Sequence, residues 1–231
     1  MDVNVLFKRL IQAETINENA NEIVGMKVLE DYLTHHNLPY KLYFSQRNRP
    51  NLVASLKSTV SGPYEEPPLV LLSHMDVVSV EEIEWKYPPF SAEEQEGAIW
   101  GRGTLDTKQL TAMHANAFVK ASELSYRNRT IHFVVTSDEE NGSKEGMAFL
   151  RRNKPEYFRD AIVLSEGGGF IVEDPLNTEQ FMLYARAEKG SARIQLEARA
   201  EGGHAASPPD ETVVSKLTDN LLRLTHTYET A

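Results

Sequence analysis

The chain has 231 residues, of which 41% are hydrophobic, enough to build a core and too many for a disordered segment. Its 24 lysines and arginines stand against 34 aspartates and glutamates, and a net charge of -10 argues against nucleic acid or an anionic membrane surface as a partner. There is no cysteine, so disulfides and thiolate metal sites are excluded, and any metal must be held by His, Asp and Glu. The opening MDVNVLFKRL lacks a long apolar h-region and no later run is long enough to span a bilayer, so a soluble, cytoplasmic protein with no membrane partner is expected.

Val3 to Ala13 carries Val5, Leu6, Leu10 and Ile11 at helical spacing, and Asn19 to His36 repeats the pattern with Ile23, Met26, Leu29, Tyr32 and Leu33. Leu38 to Phe44 and Leu52 to Leu56 read as strands joined by a polar turn. After a Pro-rich connector, Leu69 to Leu72 is an unbroken apolar run, the pattern of a strand buried on both faces of a parallel sheet. It gives way at once to Ser73, His74 and Asp76. Open α/β sheets place ligands beyond the carboxyl ends of their strands. Residues two apart on extended chain point the same way, so Asp76 can hold one imidazole nitrogen of His74 while the other binds a metal. A strand running into a polar loop is the plainer reading of this stretch alone.

Glu81 to Glu96 reads as a long, acidic, irregular loop. The glycines of Trp100 to Lys108 suggest a tight backbone path into a helix from about Asp106 to Leu124, with Leu110, Met113, Ala117, Phe118 and Ala121 inward. Asp106 taken alone reads first as the N-cap of that helix. Thr130 to Thr136 is a second buried strand, ending in Asp138, Glu139 and Glu140. Ser143 to Arg152 is a short helix. Ala161 to Leu164 is a third such strand, ending in Glu166 and three glycines, with no following Lys-bearing helix to suggest a phosphate loop. From Phe181 the pattern changes to half-buried strands, Leu183 to Ala187 and Ala192 to Ala200, joined by a turn at Glu188 to Ser191. A helix capped by Asp210 follows, the beginning of an α+β unit.

Three strand ends thus carry His74, Glu139 with Glu140, and Glu166, and a Gly-flanked Asp106 begins the helix after the first. Adjacent carboxylates repel unless a cation lies among them. His and carboxylate donors without Cys suit zinc, with manganese or cobalt as alternatives. A carboxylate not needed as a ligand is available as a general base towards water.

The ordered set SHMDVV, WKYPPF, WGRGTLDTK, SDEENGS, SEGGG, EKG and GGHAASPP resembles the aminoacylase and carboxypeptidase family of co-catalytic zinc hydrolases, which includes carboxypeptidase S, dipeptidases and succinyl-diaminopimelate desuccinylase. The resemblance runs from Arg49 onward. It implies a zinc-exopeptidase-like α/β catalytic domain over 1–180, with a mostly parallel central sheet and helices on both faces. A lid and dimerisation domain would begin at 181 and be incomplete at 231. It implies two zinc ions, with His74 and Glu166 on the first, Glu140 on the second and Asp106 bridging. Glu139 matches the general base, Asp76 the residue supporting His74, and the peptide after Asp106 is expected to be cis. His204 matches a lid histidine that steadies the oxyanion in a partner's site, so a homodimer is expected. The implied reaction is amide hydrolysis of small peptides or N-acyl amino acids. Thr107 and Gln109, and Ala205 with Ala206, depart from the family's usual residues at their positions.

Family members are longer, and a last histidine of the second metal comes after the lid. The chain is therefore expected to be the amino-terminal portion of a longer protein, with the first site complete in His74, Asp106 and Glu166. The alternative is an inactive relative acting as a metal-binding or dimerising protein. His35, His36, His114 and His132 follow no ligand-bearing strand end and are expected to be structural or exposed.

Overall fold

A computed structural model describes residues 2–81, 83, 85–174, 176–177, 179–185, 195–199 and 211–229. Two helices open the chain, α1 (Val3–Gln12) and α2 (Ile23–His35). The Asp2 carboxylate accepts the Asn4 N–H at 2.8 Å and caps α1. Leu6, Leu10 and Ile11 turn inward, whereas Val5, expected on the same face, is exposed at the rim of the stripe. Strands β1 (Tyr40–Gln46) and β2 (Arg49–Leu56) form an antiparallel hairpin. Strand β3 (Leu69–His74) follows. The loop expected to be irregular contains a small hairpin, β4 (Glu93–Gln95) and β5 (Ala98–Trp100), turned by Glu96 and Gly97 at positive φ. Then come α3 (Lys108–Ser122), β6 (Ile131–Thr136), α4 (Met147–Asn153) and β7 (Ile162–Leu164).

The sheet order is β1-β2-β6-β3-β7. β3 lies between β6 and β7 and is parallel to both, while β1 and β2 run antiparallel at one edge. The apolar run of β3 is continuous because both its faces are covered. On one face Leu52, Ala54, Leu71, Phe133 and Val135 pack with Leu6, Leu10, Met26, Leu29, Tyr32, Leu33 and Phe118 from α1, α2 and α3. On the other, Val53, Val70 and Val134 meet Leu150 of α4. Burying each such Leu, Val or Phe fully contributes about 1.5–3 kcal/mol, so the sheet is held from two sides.

Two expectations are corrected. α3 buries Thr111, Ala112, His114, Ala115, Phe118 and Val119, whereas Met113 and Ala117 face solvent. The stripe is set by what α3 packs on, β3, β6 and α1, and these take small residues where the sequence offers larger ones. β7 is not buried: it forms the edge of the sheet, and Ile162, Val163 and Leu164 are each more than 40% exposed.

The chain divides into two compact units, Met1–Phe170 and Ile171–Ala231. β8 (Gly168–Glu173) starts at the end of the first unit and pairs with β9 (Gln180–Tyr184) of the second, in which α5 (Val213–Glu229) follows. β9 starts before the strand expected at Leu183, and its partner precedes it in sequence. The expected turn at Glu188 to Ser191, the cap Asp210 and His204 lie outside the described residues, and 195–199 is not strand. Among the described residues no helix is long and apolar enough to cross a membrane.

Candidate metal centre

β3 and β6 are in register from Leu69–Ile131 to His74–Thr136, and β7 lies on the other side of β3. The three strands end at the same edge, so the residues that follow them meet. His74, the last residue of β3, is 2% exposed. Its Nδ1 lies 2.9 Å from the main-chain oxygen of Asp76. A carbonyl can only accept, so Nδ1 carries the hydrogen and Nε2 faces the pocket. The Asp76 carboxylate stands 3.6 Å from Nδ1; the support expected from its side chain comes first from its backbone.

Around His74 Nε2 lie Asp106 Oδ1 at 3.0 Å, Glu166 Oε2 at 3.4 Å and Glu139 Oε2 at 3.9 Å. Two donor groups fall within 4.8 Å of one another, His74 with Asp106 and Glu140, and His74 with Glu139 and Glu166. Asp106 is not a helix cap. α3 begins at Lys108 with Thr107 in the cap position, and the Asp106 carboxylate turns to His74 instead. The Asp106–Thr107 peptide is cis.

The Asp76 carboxylate itself, fully buried, accepts the backbone N–H groups of Glu139 and Glu140, each at 3.0 Å, and the Asn17 side-chain amide at 2.7 Å. It therefore fixes the acidic turn after β6 to the loop after β3. Asn17, Arg49 and Asp138 are all buried in this region. Their sequence signals are the Arg49-Pro50-Asn51 run at which the resemblance begins and the acidic run Asp138-Glu139-Glu140; Asn17 carries none.

The charges report the same crowding. Burial works against a charged His74, but hydrogen bonds with Asp106, Asp76 and Glu166 outweigh it and push it up to about 12. Burial, with Asp106 beside it, pushes Glu140 up to about 7. Burial also raises Glu139, with Glu166 and Asp76 adding to the effect. The His74 hydrogen bond holds Asp106 down. Crowding that raises a carboxylate such as Glu140 to near neutral is a poor solution for a protein alone and a good one around a divalent cation. The donor set of one imidazole and oxygen ligands fits zinc, manganese or cobalt. A cleft of about 380 Å³, lined by Val78, Trp85, Arg102, Leu105, Asp106 and Glu140, opens beside the cluster.

A mostly parallel sheet with one histidine and four carboxylates beyond its strand ends defines a zinc-exopeptidase-like α/β domain. The chain belongs to peptidase family M20/M25/M40, whose model matches residues 70–229. It is 33% identical over 166 residues to an N-fatty-acyl-amino acid synthase/hydrolase of Homo sapiens, covering 69% of this chain and 32% of that one. A protein of the same description from Danio rerio is 32% identical over 228 residues, covering 94% and 44%. A probable succinyl-diaminopimelate desuccinylase of Staphylococcus epidermidis is 29% identical over 193 residues, covering 83% and 43%. The chain thus spans less than half the length of these relatives. Among solved structures, a metallo-carboxypeptidase from Sulfolobus solfataricus superposes with a TM-score of 0.58 at 21% identity, covering 76% of this chain and 39% of that one. Human carnosine dipeptidase 1 gives 0.55 at 19%, covering 72% and 39%. Both show the same fold.

Proposed function

We propose that this chain supplies the greater part of the catalytic centre of a metal-dependent hydrolase that cleaves amide bonds in small substrates, peptides or N-acyl amino acids. The observation that carries the reading is the meeting of His74 with Asp106, Glu139, Glu140 and Glu166 from three separate strand ends and one helix start. His74, Asp106 and Glu166 would hold one divalent cation, zinc by preference, and Asp106 with Glu140 would supply part of the ligand set of a second. When bound, the cations supply Lewis acidity towards the amide carbonyl and towards a water.

Glu139 is the residue with reach and basicity to spare. Its side chain is 44% exposed and its affinity for protons is raised by burial. It takes a proton from the attacking water and delivers it to the leaving nitrogen. Asp76 holds Glu139 and Glu140 in place through their N–H groups. The cleft beside Asp106 and Glu140 receives the group flanking the amide, with Trp85, Val78 and Leu105 as its apolar wall. By the family resemblance, His204 would steady the oxyanion in a partner copy's site, with the lid from 181 onward as the surface through which two copies pair. The substrate class follows what the relatives are named for, N-acyl amino acids and dipeptides.

The test is a panel of N-acyl amino acids, from acetyl to long-chain acyl, and dipeptides. It is run on the complete protein bearing this sequence, with zinc, cobalt or manganese restored after chelation. Metal-dependent hydrolysis of either class is expected. Hydrolysis unaffected by chelation, or none with any metal, would overturn the reading.

A further inference from the structure

Behind the acidic turn lies a buried ionic network that the chemistry just described does not use. Arg49, on β2, is 7% exposed, and Glu22, Asp138 and Asn17 around it are 0%, 4% and 4% exposed. One guanidinium nitrogen of Arg49 donates to Glu22 Oε1 at 2.9 Å and to Asp138 Oδ1 at 2.8 Å. The other donates to the main-chain oxygen of Asn17 at 2.6 Å. Two of the three acceptors, Asp138 and Asn17, lead to the centre. Asp138 immediately precedes Glu139, sits at φ +64, and its second oxygen accepts the Glu145 N–H at 3.1 Å. Asn17 donates to Asp76, the residue that holds the Glu139 and Glu140 amides.

We infer that Arg49 is a positioning residue for the metal centre: its planar fork sets the backbone of the Glu139–Glu140 turn by fixing Asp138 on one side and the Asn17–Asp76 pair on the other. This rests on the functional reading above. A buried arginine shared by two carboxylates is a poor device for stability alone, since desolvating three charges offsets much of their attraction. What the guanidinium provides is geometry, because several donors in a rigid plane define positions that a single ammonium does not.

Arg49→Lys in the complete protein is the test, because lysine keeps the charge and loses the fork. The zinc dissociation constant, measured by competition with a chelator, is expected to rise about 10–100-fold, the range typical of residues that orient metal ligands. The value of kcat is expected to fall by a similar factor with KM within about twofold. Asp138→Asn, which breaks the pair from the other side, is expected to do the same should R49K fold poorly. Leu52→Ala, a cavity in the same strand, controls for stability: it should lower the unfolding midpoint and leave zinc affinity per folded molecule unchanged. Wild-type zinc affinity and kcat in R49K, or losses in R49K and D138N no greater than those of L52A, would overturn the inference while leaving the functional reading intact. A wild-type protein that binds no zinc would remove both.

Discussion

His74 Nε2 lies 3.0 Å from Asp106 Oδ1 although the two residues are 32 positions apart and belong to different elements. β3 delivers the imidazole and the glycine-rich turn before α3 delivers the carboxylate: His74 is 2% exposed, and the Asp106 side chain, 66% exposed, turns back to it. His74→Ala removes the donor shared by both metal groups. Zinc affinity is expected to fall at least 100-fold, more than the loss typical of an orienting neighbour, as measured by chelator competition.

Glu139 is assigned to proton transfer and not to holding metal. Glu139→Gln keeps size and hydrogen-bonding reach and removes the base. Kinetics with metal analysis alongside should show metal content retained and kcat reduced about 10²–10⁴-fold, the range for losing general acid–base catalysis. Normal turnover in this variant would take Glu139 out of the role.

Gly146 is pinned against the acidic turn. A Cβ built there would stand 1.8 Å from the main-chain oxygen of Ser137, and a backbone atom cannot swing aside as a side chain does. Gly146→Ala is expected to destabilise by about 3 kcal/mol, the upper range for overpacking, read as a lower urea midpoint with an unchanged slope. Because Ser137 leads into Asp138 and Glu139, metal affinity should fall as well.

Two buried histidines predict an acid response. Burial pulls both His114, on α3, and His132, on β6, down to about 4. His132 Nδ1 pairs with Ser55 Oγ at 2.8 Å, and among the described residues His114 Nδ1 has no hydrogen-bond partner. Above pH 6.5 both are neutral whether the chain is folded or not, and contribute no slope. Between pH 6.5 and 4 the unfolded chain binds protons that the folded one does not, so stability falls through this window, by up to about 3 kcal/mol per histidine. Urea midpoints measured from pH 7.5 to 4.5 should show the loss, and the His114→Gln/His132→Asn double variant should flatten it. An unchanged slope in that variant would contradict the assignment.

Much of the fold was legible because its determinants are local. Helical spacing located α1, α2 and α3, and the apolar runs located β3 and β6, within a few residues. What failed had causes outside the local pattern. AIVL reads as a buried strand, but it forms the edge of this sheet, and among the described residues none covers it. The stripe of α3 was misjudged because close packing on β3 and α1 selects alanines and threonines over Met113. The cluster of His74 with Asp106, Glu139, Glu140 and Glu166 was legible from strand ends and the family's motifs. Its support was not: Asn17, Glu22, Arg49 and Asp138 come from four separate places in the sequence, and only the sheet brings them together.

The most direct test is an anomalous difference map from crystals of the complete protein grown or soaked with zinc. Peaks are expected with His74 Nε2 and a carboxylate oxygen of Asp106 about 2.0–2.2 Å from the metal, and with Glu140 and Glu166 completing the ligand set. No anomalous peak beside His74 in the presence of excess zinc would contradict the assignment of this cluster as the metal centre.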